Sequence, residues 1–145
     1  MENFILSVQI RWADLDPNFH ARHSIYYDWG AMCRIEFLYK HQLTAEVMTK
    51  LQFGPILFRE ECVFRKEIRF GDDITVDLEL IKSRKDYSRW TIQHTFRKNN
   101  ELVAILTCDG AWLDVVKRKL FTPPKEVAYA FEQMPVAANF QLLDQ

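Results

Sequence analysis

Residues 25–41 read IYYDWGAMCRIEFLYKH, and the architecture of the chain follows from this stretch. Apolar side chains recur along it at helical spacing, and additional ones widen the apolar stripe around most of the circumference. Ser24 precedes it as an N-cap candidate, while Lys40 and His41 suit the negative end of the helix dipole. Gly30 costs about 1 kcal/mol against alanine inside a helix, which indicates close packing or space for a ligand, packing being the commoner reason. The pattern predicts one long helix that is buried on most sides.

Strand patterns lie on both sides of this helix. Alternating polar and apolar residues predict a first strand over residues 4–12. A short second helix at about residues 44–51 follows the long one, and a last short helix begins at Pro123-Pro124. Between these two short helices, four further strands are predicted at residues 62–70, 74–80, 90–96 and about 102–116. One antiparallel sheet wrapped around one long central helix is an α+β architecture, the hotdog arrangement.

The composition excludes several classes of protein. With 145 residues, 48% of them hydrophobic and 27% charged, the chain fits a single packed domain spanning residues 1–145. Its net charge of −1 is spread evenly, so neither nucleic acid nor an anionic membrane is expected as a partner. Residues 1–6 lack the features of a secretory signal, and no apolar run is long enough to span a membrane. Three widely spaced cysteines argue against a disulfide framework, so a cytoplasmic location is expected.

The loop before the long helix concentrates titratable side chains. On pattern alone, Asp16 before Pro17 most often forms an Asx turn. His20 and His23 are spaced as His-x-x-His, but no third ligand joins them, and a protein metal site needs three or four ligands. No metal is therefore expected. Cys33 lies on the predicted buried stripe of the helix, where a thiol usually serves as inert packing.

The segment from Arg11 to Arg34 resembles the signature of the 4-hydroxybenzoyl-CoA thioesterase branch of the hotdog acyl-CoA thioesterases. Members of that branch carry an Asp-x-Asp turn, then a Gly-His-Val-Asn-Asn-like stretch, then a helix with a Tyr and a later Arg. The matching residues here are Asp16, His20, Tyr26 and Arg34. Phe19 replaces the frequent Gly, and Ala21-Arg22-His23 replaces Val-Asn-Asn. Weaker matches continue the resemblance over roughly residues 5–128, at Phe70-Gly71-Asp72-Asp73-Ile74, Ala111-Trp112-Leu113-Asp114 and Pro123-Pro124.

The resemblance implies an enzyme that hydrolyses acyl-CoA thioesters to a carboxylic acid and free CoA, without a cofactor. Asp16 would be the catalytic carboxylate, acting as nucleophile or as general base, and Asp14 would be structural. His20 would brace the loop, and the backbone N–H of His23 at the helix start would help to hold the oxyanion. In the family this helix start and the Asp meet across a subunit interface, so a homodimer or homotetramer is expected.

Substrate-binding residues are expected in two places. Tyr26 near the helix start would line the acyl pocket, although core packing accounts for it equally well. Arg84, Lys85 and Arg89 surround the turn between the third and fourth strands, near which family members place basic contacts to CoA phosphates. A basic turn is also common simply because it stays solvated.

Two other functions remain open at this point. A hotdog hydratase or dehydratase would use a histidine, here His20, with an acidic partner such as Asp28 or Glu36. A non-catalytic binding module for acyl-CoA or an acyl-carrier protein would use the same pocket. The acyl group and its carrier are not determined by these patterns.

Overall fold

The computed structural model describes residues 3–144, in which eight strands form one curled sheet around a long helix. Residues 1, 2 and 145 belong to the predicted domain span and lie outside the described residues, as does this part of the segment in which no secretory signal was expected. In chain order the elements are β1 (Ile5–Val8), α1 (Ile25–Lys40), α2 (Ala45–Leu51), β2 (Phe53–Phe64), β3 (Ile74–Asp77), β4 (Glu79–Arg84), β5 (Arg89–Lys98), β6 (Glu101–Asp114), β7 (Lys119–Leu120), α3 (Lys125–Phe131) and β8 (Val136–Leu143).

The sheet has β5 and β6 at its centre. β6 pairs with β2 on one side and β5 on the other, and β3 and β4 pair with successive halves of β5. β1 borders β3, and β8 runs parallel to β4, with Leu80 opposite Val136. Within residues 3–144, β2 pairs only with β6, so its other edge is free. The predicted α+β fold, an antiparallel sheet wrapped around a central helix, is confirmed apart from the one parallel pair.

Helix α1 lies against the sheet through one face. Tyr26, Cys33 and Phe37 on that face are buried, whereas Met32 and Tyr39 on the other are about half exposed. The prediction of burial on most sides was therefore too broad, because polar residues alternate with these outer apolar ones. A Cβ at Gly30 would stand 2.3 Å from a methyl group of Leu106, so close packing explains this glycine.

The first strand is shorter than predicted because the chain turns after Val8. The turn at Trp12–Asp14 is a single 3₁₀ turn held by the buried carboxylate of Asp14. That carboxylate accepts hydrogen bonds from the backbone N–H of Arg11 (2.9 Å) and from its guanidinium (2.7 Å), which hold the pKa of Asp14 below its usual value. Trp12, the last residue of the predicted strand, lies in this turn and is 70% exposed.

Other strands also differ from the prediction. The single strand predicted at residues 74–80 is divided into β3 and β4, and β7 was not predicted. β2 begins at Phe53 instead of near residue 62 and includes Pro55, which a strand tolerates at a free edge because it needs no donor there. Residues 65–70, predicted as part of that strand, leave the sheet instead. β8 was not predicted, since its side chains are mostly exposed and carry no clean alternation.

A buried polar network ties α1 to β5. Nη1 of Arg34 lies 3.0 Å from Nε2 of His94, and Nδ1 of the same ring lies 2.9 Å from the carbonyl of Asp77. Because a guanidinium only donates, Nε2 accepts and Nδ1–H donates to the carbonyl. Burial, and then the charge of Arg34, lower the pKa of His94 to about 3. The ring is therefore neutral at physiological pH and holds Arg34 in place.

Candidate active site

A groove opens where α1 begins, between the loop that precedes the helix and the chain that follows β2. Asp16, His20, His23 and Tyr26 line one wall, and side chains from residues 64–69 line the other. Four of the residues predicted to form the site are thus brought together in one place. They share it because a single loop and the first helical turn carry all four.

Short pairings to the opposite wall fix this loop. His20 forms an isolated bridge with Arg69, and the backbone N–H of Ala21 donates to the carbonyl of Ile68 (2.7 Å). Phe19 has a φ of 65°, a left-handed conformation that glycine adopts freely and a bulky residue adopts at a cost. This explains the frequent Gly at that position in the family, and here the strained turn is retained with a side chain.

The Asp16 carboxylate is oriented by three donors. Its Oδ1 accepts from the backbone N–H groups of Asn18 (2.8 Å) and His20 (3.3 Å), the Asx-type bonding expected from the sequence. Its Oδ2 lies 3.0 Å from Nδ1 of His20, which must donate because an ionised carboxylate only accepts. Nε2 of His20 lies 3.7 Å from the Glu67 carboxylate. The Asp16 side chain thus both stabilises the local turn and lines the groove.

The start of α1 presents free backbone donors beside this carboxylate. Ser24 occupies the predicted N-cap position, but its hydroxyl accepts from the Arg22 guanidinium (3.1 Å) rather than from the helix. Among residues 3–144, no acceptor takes a hydrogen bond from the backbone N–H of His23 or Ser24. Such donors at the positive end of a helix dipole favour a developing negative charge.

Tyr26 belongs to the groove and to the core at once. Its ring packs edge-on against Phe64 and Phe96, with centroids 5.0 and 5.5 Å apart. Burial raises the pKa of its phenol to about 12, so the hydroxyl stays protonated. Tyr26 thus lines the groove and packs in the core, and its contact with the acyl group stays a prediction.

The predicted phosphate-binding residues lie at the other end of the sheet. Arg84 donates to the carbonyl of Asp144 (3.1 Å), Lys85 is on the turn between β4 and β5, and Arg89 lies over the Phe58 ring at 4.6 Å. Arg89 and the Phe96 that contacts Tyr26 are seven positions apart on β5, about 23 Å along a strand. One chain does not bring Arg84, Lys85 and Arg89 to its own groove.

The groove has basic residues of its own, which sequence reasoning missed. Arg65, Lys66 and Arg69 line it, although Lys66 pairs with Glu101 (2.9 Å) and Arg69 with Glu67 (2.9 Å). The alternation predicted Arg65 and Arg69 on the polar face of a strand. The signal in the sequence was the presence of three basic residues within residues 65–69. Over residues 3–144, no group of three or more His, Cys, Asp or Glu side chains is placed to hold a metal. No helix in the same range is long and apolar enough to cross a membrane.

Comparison with known proteins agrees with this architecture. Among solved structures, the SAV2348 protein of Staphylococcus aureus in complex with CoA superposes with a TM-score of 0.83 at 19% identity, covering 94% of this chain and 89% of that one. Slr0204 of Synechocystis, a 1,4-dihydroxy-2-naphthoyl-CoA thioesterase, gives 0.80 at 16% identity, covering 91% and 97%. The AQ1494 protein of Aquifex aeolicus gives 0.81 at 21% identity, covering 88% and 98%. At these identities the likeness concerns the fold.

The sequence itself carries the family relationship. No protein of curated function matches it. The model of the thioesterase-like superfamily matches residues 10–131, a range that includes the Asp16 loop, α1 and strands β2 to β7. The chain therefore belongs to the thioesterase-like superfamily.

Proposed function

We propose that the protein hydrolyses acyl-CoA thioesters to a carboxylic acid and free CoA, with Asp16 as the catalytic carboxylate. The observation that carries the proposal is the Asp16 carboxylate itself, oriented by three donors in a groove at the start of α1. Membership of the thioesterase-like superfamily supports the reaction class. The CoA bound by the Staphylococcus aureus relative and the CoA-thioesterase activity of the Synechocystis one support the substrate class.

The chemistry follows from the groups in the groove. The carboxylate attacks the thioester carbonyl carbon, or takes a proton from a water molecule that attacks it. The carbonyl oxygen gains negative charge, which the backbone N–H groups of His23 and Ser24 are suited to stabilise. Collapse breaks the C–S bond, and the CoA thiolate leaves. In the direct route, water then hydrolyses the acyl-aspartyl anhydride. His20 acts as a positioning residue, because it donates to Oδ2 of Asp16.

The free edge of β2 supports the oligomer that the resemblance implies. This strand is 12 residues long, and Leu57, Phe58, Val63 and Phe64 on it are 39–49% exposed. A long free edge with exposed apolar side chains favours pairing with another strand. We propose that two copies pair antiparallel along β2. The Leu57 end of one copy would then lie beside the Phe64 end, and hence the groove, of the other, which brings Arg89 toward the partner's groove.

Light scattering is expected to give two or four times the monomer mass, and Val63→Lys on β2 is expected to lower it. In this pairing each lysine would lie against apolar side chains of the partner strand, and its desolvation would oppose the edge contact. Val116→Lys is the matched control, because Val116 is similarly exposed but lies outside β2. A monomeric wild type, or equal effects of the two variants, would contradict pairing through β2.

The reaction class is tested by following free-thiol release from CoA esters of short, medium, long and aromatic acids. The purified wild type is expected to release thiol from at least one class. Hydration of crotonyl-CoA without thiol release would instead identify a hydratase. Tight acyl-CoA binding with no turnover of any ester would identify a binding module. Each of these two results would contradict the hydrolase proposal.

A further inference from the structure

A second cavity, of about 280 Å³, lies between α1, β2 and α3 and shares no lining residue with the groove. Its walls are aliphatic and aromatic, with Leu38, Ile92, Trp112 and Met134 among them. Ala31, Pro55 and Leu57 line it and are exposed, so the mouth lies near the free edge of β2. An apolar cavity of about 150 Å³ holds benzene, so this volume suits an acyl group of medium size.

Among residues 3–144, Arg34 is the only charged residue that lines this cavity. Its side chain is 12% exposed, and Nη1 is engaged by His94 (3.0 Å) and by the Cys108 sulfur (3.3 Å). Nη2 lies 3.8 Å from the Glu60 carboxylate, which balances the charge but is too distant for a hydrogen bond. Within residues 3–144, the N–H groups on Nε and Nη2 thus have no hydrogen-bond acceptor. Neither nitrogen is fully buried, and donors left without an acceptor beside an apolar cavity favour a ligand that supplies one.

Trp90 also lines the cavity and is 3% exposed. Its indole Nε1 is fully buried and has no hydrogen-bond partner in the described part of the chain, so Nε1 itself does not border the cavity. Because Glu60 already balances the charge of Arg34, an uncharged oxygen suits the position better than a second carboxylate.

We propose that this cavity is the acyl subsite, and that Arg34 selects medium-sized acyl groups with a hydroxyl or keto oxygen toward their far end. The inference rests on the proposed function and on pairing along β2, which sets the mouth of one copy beside the Asp16 groove of the other. The body of the acyl group fills the apolar volume, and the distal oxygen accepts from the Arg34 guanidinium. Arg34 is in this view a specificity residue, whereas Asp16 performs the reaction on the thioester.

The test compares kcat/KM for 8-hydroxyoctanoyl-CoA, octanoyl-CoA and octanedioyl-CoA. A hydrogen bond to a charged group corresponds to roughly a tenfold preference or more for the hydroxy ester over octanoyl-CoA. The carboxylate ester is expected to react more slowly than the hydroxy ester. Arg34→Met is expected to remove the preference mainly through KM, and Arg34→Lys to restore part of it. Equal preference in wild type and Arg34→Met would overturn the proposal.

A variant at the mouth covers the case in which Arg34→Met does not fold. Ala31 is exposed on α1, so Ala31→Phe obstructs entry without touching the network of Arg34 and His94. Both hydroxyoctanoyl-CoA and octanoyl-CoA are expected to lose roughly tenfold or more in kcat/KM relative to acetyl-CoA. Uniform effects on all three esters would count against the cavity as the acyl subsite.

A binding measurement separates this inference from the hydrolase proposal. Octanol is titrated into the wild type and into Arg34→Met or Ala31→Phe, and the intrinsic tryptophan fluorescence is followed. Trp90 and Trp112 of the cavity wall contribute to this signal. Weaker octanol binding in the variants is expected. Such binding without thiol release from any ester would uphold the cavity as a ligand site and overturn the proposed reaction. Thiol release with octanol binding unchanged by either variant would do the reverse.

Discussion

Replacing Asp16 with asparagine is expected to lower kcat for thioester hydrolysis by on the order of a hundredfold or more. The amide oxygen still accepts from the backbone N–H groups of Asn18 and His20, so the turn keeps its shape. The amide can neither attack the carbonyl as a carboxylate does nor take a proton from water. Thiol release at saturating substrate measures the loss in kcat. The same loss is expected whether Asp16 acts as nucleophile or as general base.

The matched control for this variant is Asp73→Asn. Asp73 is an exposed carboxylate outside the groove, so its replacement removes the same charge without touching the site. Asp16→Asn is also expected to unfold at a temperature close to that of the wild type and to bind acyl-CoA. Full activity in Asp16→Asn, or equal losses in both variants, would exclude Asp16 as the catalytic carboxylate.

Acidification is expected to destabilise the protein through His94 well before its carboxylates are protonated. The pKa of this buried ring is about 3 in the folded protein against 6.5 for the free side chain, so the unfolded chain binds the proton more tightly. The stabilisation is fully present above pH 6.5 and is lost as the pH falls toward 3. The free energy of unfolding should fall by about 1.4 kcal/mol per pH unit in this window, on the order of 5 kcal/mol in all.

Urea unfolding at pH 7, 6, 5 and 4.5 measures this dependence, with His94→Gln as the comparison. A glutamine amide can accept from Arg34 and donate to the Asp77 carbonyl, but it does not titrate. The variant should be less stable at pH 7 and show a flatter pH profile. The buried Asp14 carboxyl has a pKa below 3.8, so its stabilisation is lost only at lower pH. Parallel profiles for wild type and variant would show that His94 is not the sensitive group.

The parts of the fold predicted from sequence were those in which local pattern and tertiary role agree. The spacing of apolar residues in α1 survives in the structure, and so does the alternation in β3, whereas β5 is buried on both faces over much of its length. Asn99 and Asn100, between β5 and β6, both have positive φ. The start of β2 was not predicted because a proline usually indicates a break in a strand. A strand at a free edge tolerates Pro55, because no neighbouring strand on that side needs its backbone N–H. β8 was missed because its neighbour β4 gives it hydrogen bonds but little burial.

The candidate site also contains residues whose proximity the sequence predicts and residues whose proximity it does not. Asp16, His20, His23 and Tyr26 were predictable as one group because they lie within eleven consecutive residues, and a short loop cannot carry them far apart. The pairing of Arg34 with His94 joins residues 60 positions apart and depends on how α1 lies across the sheet. Such a contact has no local signature, so only the assembled fold reveals it.

The parallel pairing of β8 with β4 has a consequence for how the chain is made. Leu80 and Val136 face each other although 56 positions separate them in the sequence. At a typical 5–20 residues per second, a ribosome needs roughly 3–11 s to synthesise that interval. During this time β4 has emerged without the neighbour that covers one of its edges. The nascent chain thus passes through an interval with an open sheet edge, in which slow translation or a crowded polysome gives other unfinished copies time to pair with it.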